Sequence, residues 1–373
     1  MTLSKKEELF LHLKNSFGWS TKRKIIVFSV DDYGNIRIAS KKAREVLIKA
    51  GINLDANRFD RLDALDTRED LEQLFETLHS VKDKNQRAAV FTPYALPANI
   101  NFSKVESSGF ENYYYELLPE TLHRLPGYER TWDLWRQGID EKIFVPQFHG
   151  REHVNLKWFS HFIQEKDSRV ITSIKENCWA GLDFSPFKDI DYVSSFAFTE
   201  FKENQQLIEL AKNGLQIFEE VFGYKASQFN APGRPAHSIL EDALVNNGIK
   251  YLDSASVKYE HQGNGRYRKK IRLQGGANNS GQIYHVRNCV FEPSIGNNAE
   301  CVNKTLKQIE IAFKHNKPAV ISSHRVNFCG HIDPENRRNG LTELRRLLKS
   351  IVIKWPEVEF MSASELGDTM IEK

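Results

Sequence analysis

The sequence predicts an α/β fold with a mostly parallel sheet, and within that class a distorted (β/α) barrel of seven or eight strands. Two observations support this prediction. Short apolar runs bounded by charged or turn-forming residues, typical of strands buried on both faces, recur along the chain. They alternate with longer segments whose apolar residues recur at helical spacing, which is typical of βαβ units. Seven or eight such units favour a closed barrel over an open sheet.

The predicted strands begin with an apolar run at residues 24–30, which two aspartates follow directly. Further strands are predicted at 87–92, 143–148, 192–198, 227–229, 250–253, 282–290, 318–323 and 358–361. Helices are predicted between them and before them, at 5–16, 38–50, 68–81, 154–166, 202–221, 238–247, 300–315 and 341–353. The clearest helical pattern is at 202–221, where the apolar residues form one stripe.

The chain of 373 residues is long enough for one barrel domain with insertions. Residues 1–21 are predicted to form an N-terminal helical extension, and residues 22–370 the barrel. Two segments interrupt the alternation. Residues 97–135 are rich in aromatic side chains, which suggests a long loop or an insertion over one face of the barrel. Residues 256–281 are rich in Gly, Asn, Lys and Arg and are predicted to form an exposed connection.

Composition argues against several classes of function. The 52 basic and 49 acidic residues give a formal net charge of +3, and this near balance does not support nucleic-acid binding. No run reaches the roughly 18 apolar residues of a membrane span. The N-terminus lacks the apolar core of a secretory signal, so a cytoplasmic location is expected. The four cysteines lack the spacing of a zinc or redox motif and are expected to be free thiols.

Asp31 and Asp32 follow the first predicted strand directly. Active sites in parallel α/β folds gather at the carboxyl ends of strands. Because the backbone turns at a strand end, both carboxylates are expected to reach one pocket. One carboxylate would then bind a metal while the other accepts a proton. The alternative is a helix cap with turn chemistry, which Asp and the nearby Gly34 also suit.

His149 and His153 follow the third predicted strand. The four-residue spacing is predicted to place both imidazoles on one face of a helical turn, which suits a divalent metal bound through neutral nitrogens. Gly150 would allow a tight turn at this point. Chance is the alternative, because a chain with twelve histidines contains such a spacing by accident fairly often.

His324 ends the apolar run at 318–323. A single histidine at a strand end is a weak signal, and a hydrogen-bonded structural role is the alternative. The functional interpretation is a general acid that protonates a leaving amine, since imidazole titrates near neutral pH.

Taken in order, these clusters resemble the polysaccharide deacetylase family, also called the NodB-homology fold, over roughly residues 22–370. Asp31-Asp32 matches the family's first motif, His149-Gly-Arg-Glu-His153 its second motif, and His324 its final motif. The resemblance implies a barrel of the polysaccharide deacetylase type. It also implies that Asp31 is the catalytic base, that His324 is the general acid, and that Asp32, His149 and His153 are the metal ligands.

The chain departs from the family pattern at the third motif, which normally reads Arg-x-Pro-x-Gly. Here Asn230-Ala-Pro-Gly233-Arg234 keeps only the proline, so the arginine that orients the catalytic base is missing. Arg234 and Arg325 are candidates to replace it. The resemblance implies that the backbone N–H of Gly233 stabilises the oxyanion, and it places Asn230 and Arg234 beside the substrate.

The resemblance implies a metal-dependent hydrolase that removes an acetyl group from an N-acetylated sugar or glycan precursor. The expected cofactor is a divalent metal, with zinc first, although an Asp-His-His site also accepts cobalt, nickel or iron. The expected partner is a carbohydrate or another small N-acetylated substrate. Two alternatives stay open: an amidase acting on another small N-acyl compound, and a non-catalytic carbohydrate-binding protein on a degenerate barrel. The first would be distinguished by free-acetate assays across substrates, the second by absence of a metal.

Overall fold

The computed structural model describes residues 3–233, 236–296 and 298–372. Its main sheet is parallel in every recorded pair. The strands of this sheet are β1 (Ile25–Tyr33), β2 (Phe91–Ala95), β5 (Gln147–Phe148), β6 (Gln228–Phe229), β7 (Tyr251–Asp253), β10 (Ile283–His285), β11 (Cys289–Val290), β12 (Ala319–His324) and β13 (Glu359–Phe360). Two antiparallel hairpins lie outside it, β3 (Ala98–Ile100) with β4 (Tyr115–Leu117), and β8 (Val257–His261) with β9 (Tyr267–Ile271).

Eight strands follow one another across the sheet in the order β10-β7-β6-β5-β2-β1-β12-β11, and β13 pairs with the start of β1. Among the described residues no ladder joins β10 to β11, so the sheet is a curled, incompletely closed barrel. The prediction of an α/β fold built as a distorted (β/α) barrel is confirmed. All nine residues of β1 are buried, because this central strand has neighbours on both edges and packed layers on both faces.

Fourteen α-helices alternate with or flank these strands in the described part of the chain. They are α1 (Lys5–Asn15), α2 (Lys41–Lys49), α3 (Arg58–Leu62), α4 (Arg68–His79), α5 (Phe102–Ser107), α6 (Leu118–Arg124), α7 (Thr131–Asp140), α8 (Leu156–Gln164), α9 (Ser168–Lys175), α10 (Asn204–Phe222), α11 (Glu241–Asn246), α12 (Asn298–Lys314), α13 (Pro334–Lys354) and α14 (Ala363–Ile371). None of the helices in the described residues is long and apolar enough to cross a membrane.

The prediction of a strand at 192–198 is wrong. The segment forms turns and coil, although its aromatic side chains, including Tyr192 and Phe196, are buried as those of a strand would be. Its backbone carbonyls are satisfied by side chains and by single backbone N–H groups instead of a neighbouring strand. The amide of Asn155 donates to the carbonyls of Ser194 and Ala197, at 2.8 and 3.0 Å. Buried backbone groups require hydrogen-bond partners, but the partners need not belong to a sheet.

The strand predicted at 282–290 is two short strands that pair with different neighbours. β10 lies beside β7 and β11 beside β12, so the three residues between them carry the chain from one edge of the sheet to the other. The side chain of Asn288 fixes this crossing by donating to the carbonyl of Pro318 and accepting from the N–H of Val320. Arg287 lies within the crossing, and its side chain enters the cavity described below.

Both interrupting segments are structured. Residues 97–135 contain the hairpin β3–β4, helices α5 and α6, and the start of α7. Residues 256–281 contain the hairpin β8–β9, whose pairing runs from Val257 with Ile271 to His261 with Tyr267. The N-terminal helix α1 packs against α12, where Leu11 joins Ile311 in a small apolar cluster. All four cysteines are free.

Candidate active site

The predicted site residues that the structure describes lie along one cavity of about 630 Å³. Its floor is formed by residues at the carboxyl ends of four parallel strands, β1, β5, β6 and β12. The residues from these ends that line it are Asp31, Asp32, His149, His153, Phe229, Asn230, Gly233, Ser322 and His324. The cavity therefore occupies the position at which parallel α/β folds gather their functional groups.

A distortion in β1 brings two neighbouring carboxylates into this cavity. The register of β1 against β2 shifts between Val30 and Tyr33, and Asp32 has a φ of +75°. In a regular strand, adjacent side chains would point to opposite faces. The sequence predicted that the strand would end before the pair, but the strand continues through it and the irregularity reorients the side chains. A left-handed backbone at a non-glycine residue costs about 1–3 kcal/mol and is typical of functional positions.

Asp32, His149 and His153 converge. Oδ1 of Asp32 lies 3.3 Å from Nε2 of His149 and 3.1 Å from Nε2 of His153. All three residues are buried, and one ligand atom from each lies within 4.8 Å of the others. One carboxylate and two imidazoles form a donor set that divalent transition metals prefer. The structure thus brings together the three side chains that were predicted as metal ligands.

The hydrogen bonds around the imidazoles fit a bound cation. Nδ1 of His149 lies 2.8 Å from the backbone carbonyl of Asn230, which can only accept. Neutral His149 therefore carries its proton on Nδ1 and presents the lone pair of Nε2 to Asp32. Burial lowers the pKa of His153 against the opposing effect of Asp32, which favours a neutral ring. A cation between these groups would relieve the repulsion of the facing lone pairs, so the residues fit a divalent metal.

The loop that carries the two histidines differs from its prediction. Residues 149–155 form no helical turn but an irregular loop between β5 and α8, in which Gly150 has a φ of +112°. The rings nevertheless approach each other, with centroids 5.6 Å apart. The loop is braced from outside the cavity, because Arg151 pairs with the buried Glu152 and stacks on Tyr115, 4.3 Å from the ring centroid. Aromatic side chains of the 97–135 insertion thus pack on this loop.

Asp31 is held by an arginine that the sequence interpretation missed. Both terminal nitrogens of Arg287 lie 2.7 Å from the carboxylate oxygens of Asp31, and Nε of Arg287 lies 2.8 Å from Asp253. The amide of Asn230 donates a further hydrogen bond to Asp31 over 2.9 Å. Burial would raise the pKa of Asp31, but the charge and hydrogen bonds of Arg287 outweigh burial, so the pKa is lowered and the carboxylate stays ionised.

His324 faces Asp31 across the cavity floor, with its Nε2 at 3.7 Å from the carboxylate. Its Nδ1 lies 2.6 Å from Glu292, which Arg58 and Asn327 hold in place at 2.6 and 2.7 Å. Burial alone would lower the pKa of His324. The hydrogen bond and charge of Glu292, together with Asp31, outweigh burial and raise the pKa to about 9. The imidazole is therefore a proton donor at neutral pH.

The remaining predicted residues are placed as follows. Asn230 lines the cavity, but its side chain bonds to Asp31 and its carbonyl to His149, so it links Asp31 to the triad. Gly233 also lines the cavity and has a φ of +69°. Arg234 lies outside the described residues. Arg325 does not reach Asp31, because it is buried against Asp63 and Asp66 at 2.9 and 3.5 Å.

One weak signal in the sequence points to Arg287 and Glu292, the two residues that the sequence interpretation missed. Arg287 lies within the strand predicted at 282–290, and Glu292 lies two residues after its end. A charged residue within or beside a buried strand requires a partner, which is a reason to examine it. Nothing in the sequence alone connects Arg287 with Asp31, however, since they lie 256 residues apart in the chain.

No family model matches this chain, and no curated protein matches it. Several solved structures are similar to it in fold. An allantoinase (PuuE) is 12% identical, with 94% of this chain and 91% of that chain covered and a TM-score of 0.44. A probable polysaccharide deacetylase from Pseudomonas aeruginosa PAO1 is 10% identical, with 93% and 91% covered and a TM-score of 0.44. A GH57-type branching enzyme from Pyrococcus horikoshii is 13% identical, with 95% and 71% covered and a TM-score of 0.41.

These neighbours carry three different activities in their names, and their similarity is too low to choose among them. The topology and the side chains define the class of protein directly. The chain is a (β/α)-barrel protein with a buried Asp-His-His triad able to hold a cation. An arginine-held aspartate and a glutamate-held histidine lie beside that triad.

Proposed function

We propose that this protein is a metal-dependent hydrolase that removes the acetyl group from an N-acetylated sugar or glycan precursor. One observation carries the proposal. A buried triad suited to a divalent metal lies in the same cavity as an ionised carboxylate, Asp31, and a protonated imidazole, His324. Amide hydrolysis needs these three functions together: an electrophile, a base and an acid.

Asp32, His149 and His153 would hold the metal, and zinc is the proposed ion because its sites favour imidazole with carboxylate. A divalent metal supplies Lewis acidity to a carbonyl and lowers the pKa of water. The second nitrogen of His149, bonded to the carbonyl of Asn230, fixes the ring orientation that the ligand role requires. Substitution of such supporting groups typically weakens metal binding by about 10–100-fold.

Asp31 would accept the proton of the attacking water. Arg287 keeps this carboxylate ionised and, with Asn230, fixes its orientation, so the base needs no reorganisation before it acts. His324 would then donate its proton to the departing nitrogen. Both residues line the cavity, with 3.7 Å between the His324 ring and the Asp31 carboxylate, so both would be within reach of an amide bound there.

The backbone N–H of Gly233 is proposed as a donor to the developing oxyanion. Gly233 lines the same cavity, and its φ of +69° is one that other residues rarely adopt. A Cβ atom at this position would lie 2.5 Å from Oγ of Ser194, so the close approach of the loop to Ser194 also requires glycine.

The proposal is tested by metal analysis combined with an acetate assay. Protein purified without added metal is analysed by mass spectrometry, and the same is done for the double variant His149→Ala/His153→Ala. A matched control is His79→Ala/His123→Ala, which removes two exposed histidines that do not line the cavity. We expect about one equivalent of metal in the native protein and in the control, and none in the site variant.

Acetate release is then measured on N-acetylated mono- and oligosaccharides and on small N-acyl amides. Release from the sugars by the metal-loaded native protein, lost in the site variant, would support the proposal. Release only from the non-sugar amides would show that the substrate is not an N-acetylated sugar and would favour an amidase. No metal in any sample, even after zinc loading, would exclude the hydrolase and favour a binding protein.

A further inference from the structure

Part of the cavity lining, here called the wall, comes from elements that are not strand ends of the barrel. Three cationic side chains from three such places line it: Lys14 from the N-terminal helix α1, Lys258 from strand β8, and Arg272 directly after β9. The residues of the triad line the same cavity. The triad and these cations therefore open onto the same volume.

Lys14 is partly buried and has few partners. Its ammonium donates to the backbone carbonyl of Arg287, and it forms no ion pair within residues 3–233, 236–296 and 298–372. Burial lowers its pKa, against weaker favourable effects of Cys289 and Asp253. An ammonium group has three N–H donors, so two remain available to a ligand in the cavity.

Lys258 is buried to 6% exposure and donates to the carbonyl of Ala236. Its nearest carboxylate, Glu260, is 3.9 Å away and lies closer to Lys270, at 2.7 Å. Burial and then the charge of Arg272 lower the pKa of Lys258 to about 7. The ammonium is thus held in a region where positive charge is incompletely balanced.

Arg272 is also buried, and its guanidinium is fixed by Ser254 and Glu241 at 3.0 and 3.1 Å. Its face stacks on Tyr284, 4.4 Å from the ring centroid. The buried Nε of Arg272 has no hydrogen-bond partner among the described residues. Glu241 is shared, since it also accepts a hydrogen bond from Asn278.

Burying cations without full pairing is costly, and an anion placed among them recovers that cost through charge-assisted hydrogen bonds. We infer that the wall formed by Lys14, Lys258 and Arg272 recognises an anionic substituent, a phosphate or a carboxylate, on the N-acetylated substrate. This inference rests on the proposed function, because that function places the acetyl group at the triad. It narrows the substrate class from N-acetylated sugars in general to negatively charged ones.

The test compares three sugars: N-acetylglucosamine, its 6-phosphate, and N-acetylmuramic acid, which carries a carboxylate. For the zinc-loaded native protein we expect kcat/KM to be at least about tenfold higher for a charged sugar than for the neutral one. Lys14→Met, Lys258→Met and Arg272→Met should each lower this ratio about tenfold, the usual effect of losing one charge-assisted hydrogen bond. Lys14→Arg, which keeps the positive charge, should retain most of the native ratio.

Lys6→Met and Lys269→Met are the matched controls. Each removes one positive charge from an exposed position of the same element, α1 or β9, and neither residue lines the cavity. They should leave the ratio unchanged. A similar fall in the controls would mean that long-range charge, and not the wall, sets the preference, and would overturn the inference.

Binding is measured separately, so that failure of the inference can be told from failure of the proposed function. Calorimetry on the zinc-loaded Asp31→Asn variant, with and without each wall substitution, needs no turnover. Tighter binding of a charged sugar, lost with the wall substitutions, supports the inference even if no acetate is ever released. Equal binding of charged and neutral sugars, or no binding of any, overturns it. The two charged sugars are then compared. The one whose affinity falls more on wall substitution identifies whether the wall recognises a phosphate or a carboxylate.

Discussion

The two sides of the cavity are built in different ways. The floor consists of residues at the carboxyl ends of parallel strands, such as Asp32 and His324, and the sheet fixes their positions. The wall consists of Lys14, Lys258 and Arg272, which a terminal helix and a hairpin bring to the cavity from outside the sheet. The difference suggests a division of labour in which the floor performs the chemistry and the wall selects the substrate.

The largest expected effect is on kcat, and it distinguishes Asp31 from Asp253, the two aspartates that bond to Arg287. Asp31→Asn should lower kcat about 10²–10⁴-fold while leaving metal content unchanged, because a proton acceptor is lost but no ligand. Asp253→Asn is the matched control, since Asp253 also bonds to Arg287 but is neither a residue of the triad nor the proposed base. Acetate release and metal analysis are measured for both. An equal fall in kcat for the two variants would contradict the assignment of Asp31 as the base.

The next effect compares two buried arginines. Arg287→Met and Arg325→Met each leave carboxylates buried without their partner, and each should lower the free energy of unfolding by about 3–5 kcal/mol in urea denaturation. Only Arg287→Met should also lower the kcat of the folded fraction, since Arg325 contacts Asp63 and Asp66 and does not line the cavity. If Arg325→Met lowered the kcat of the folded fraction as much as Arg287→Met does, the special role of Arg287 in holding Asp31 would be contradicted.

A smaller effect concerns the loop that carries the histidines. Gly150→Ala places a side chain at a φ of +112°, within 3.3 Å of Phe196, and should cost about 1–3 kcal/mol of unfolding free energy. Gly51→Ala is the control, because Gly51 has a φ of +81° but open space around it. Both variants should lose stability, but only Gly150→Ala should bind zinc more weakly in a competition titration. Unchanged zinc affinity would show that the loop tolerates the displacement.

The smallest effect is a shift in pH dependence. Glu292→Gln should lower the pKa of His324 from about 9 toward its ordinary value of 6.5. Because the native pKa is raised, the Glu292–His324 pair contributes stability that is fully present below pH 6.5 and is lost as pH rises to about 9. The variant should lack this pH-dependent loss, and its kcat should fall at a lower pH than that of the native protein. Identical pH profiles would mean that His324 is not the acid.

Sequence patterns predicted the fold class and the floor because both depend on local rules. Apolar runs identify buried strands, and polar residues that follow such runs lie at one rim of a parallel sheet. Two motifs reach the cavity by a different backbone route from the one predicted. Asp31 and Asp32 share a cavity through an irregularity within β1, and His149 and His153 through a loop, not a helical turn.

What the sequence determined by itself was therefore the alternation of strands and helices that makes the main sheet, and which residue types stand at most of its strand ends. The tertiary structure decided the rest: that Arg287 meets Asp31, that Glu292 meets His324, and that three cations line one wall. These contacts join residues far apart in the chain, and their energy depends on burial and charge that only the folded arrangement creates. A lone arginine or lysine in a sequence gives no sign of which carboxylate or cavity it will face.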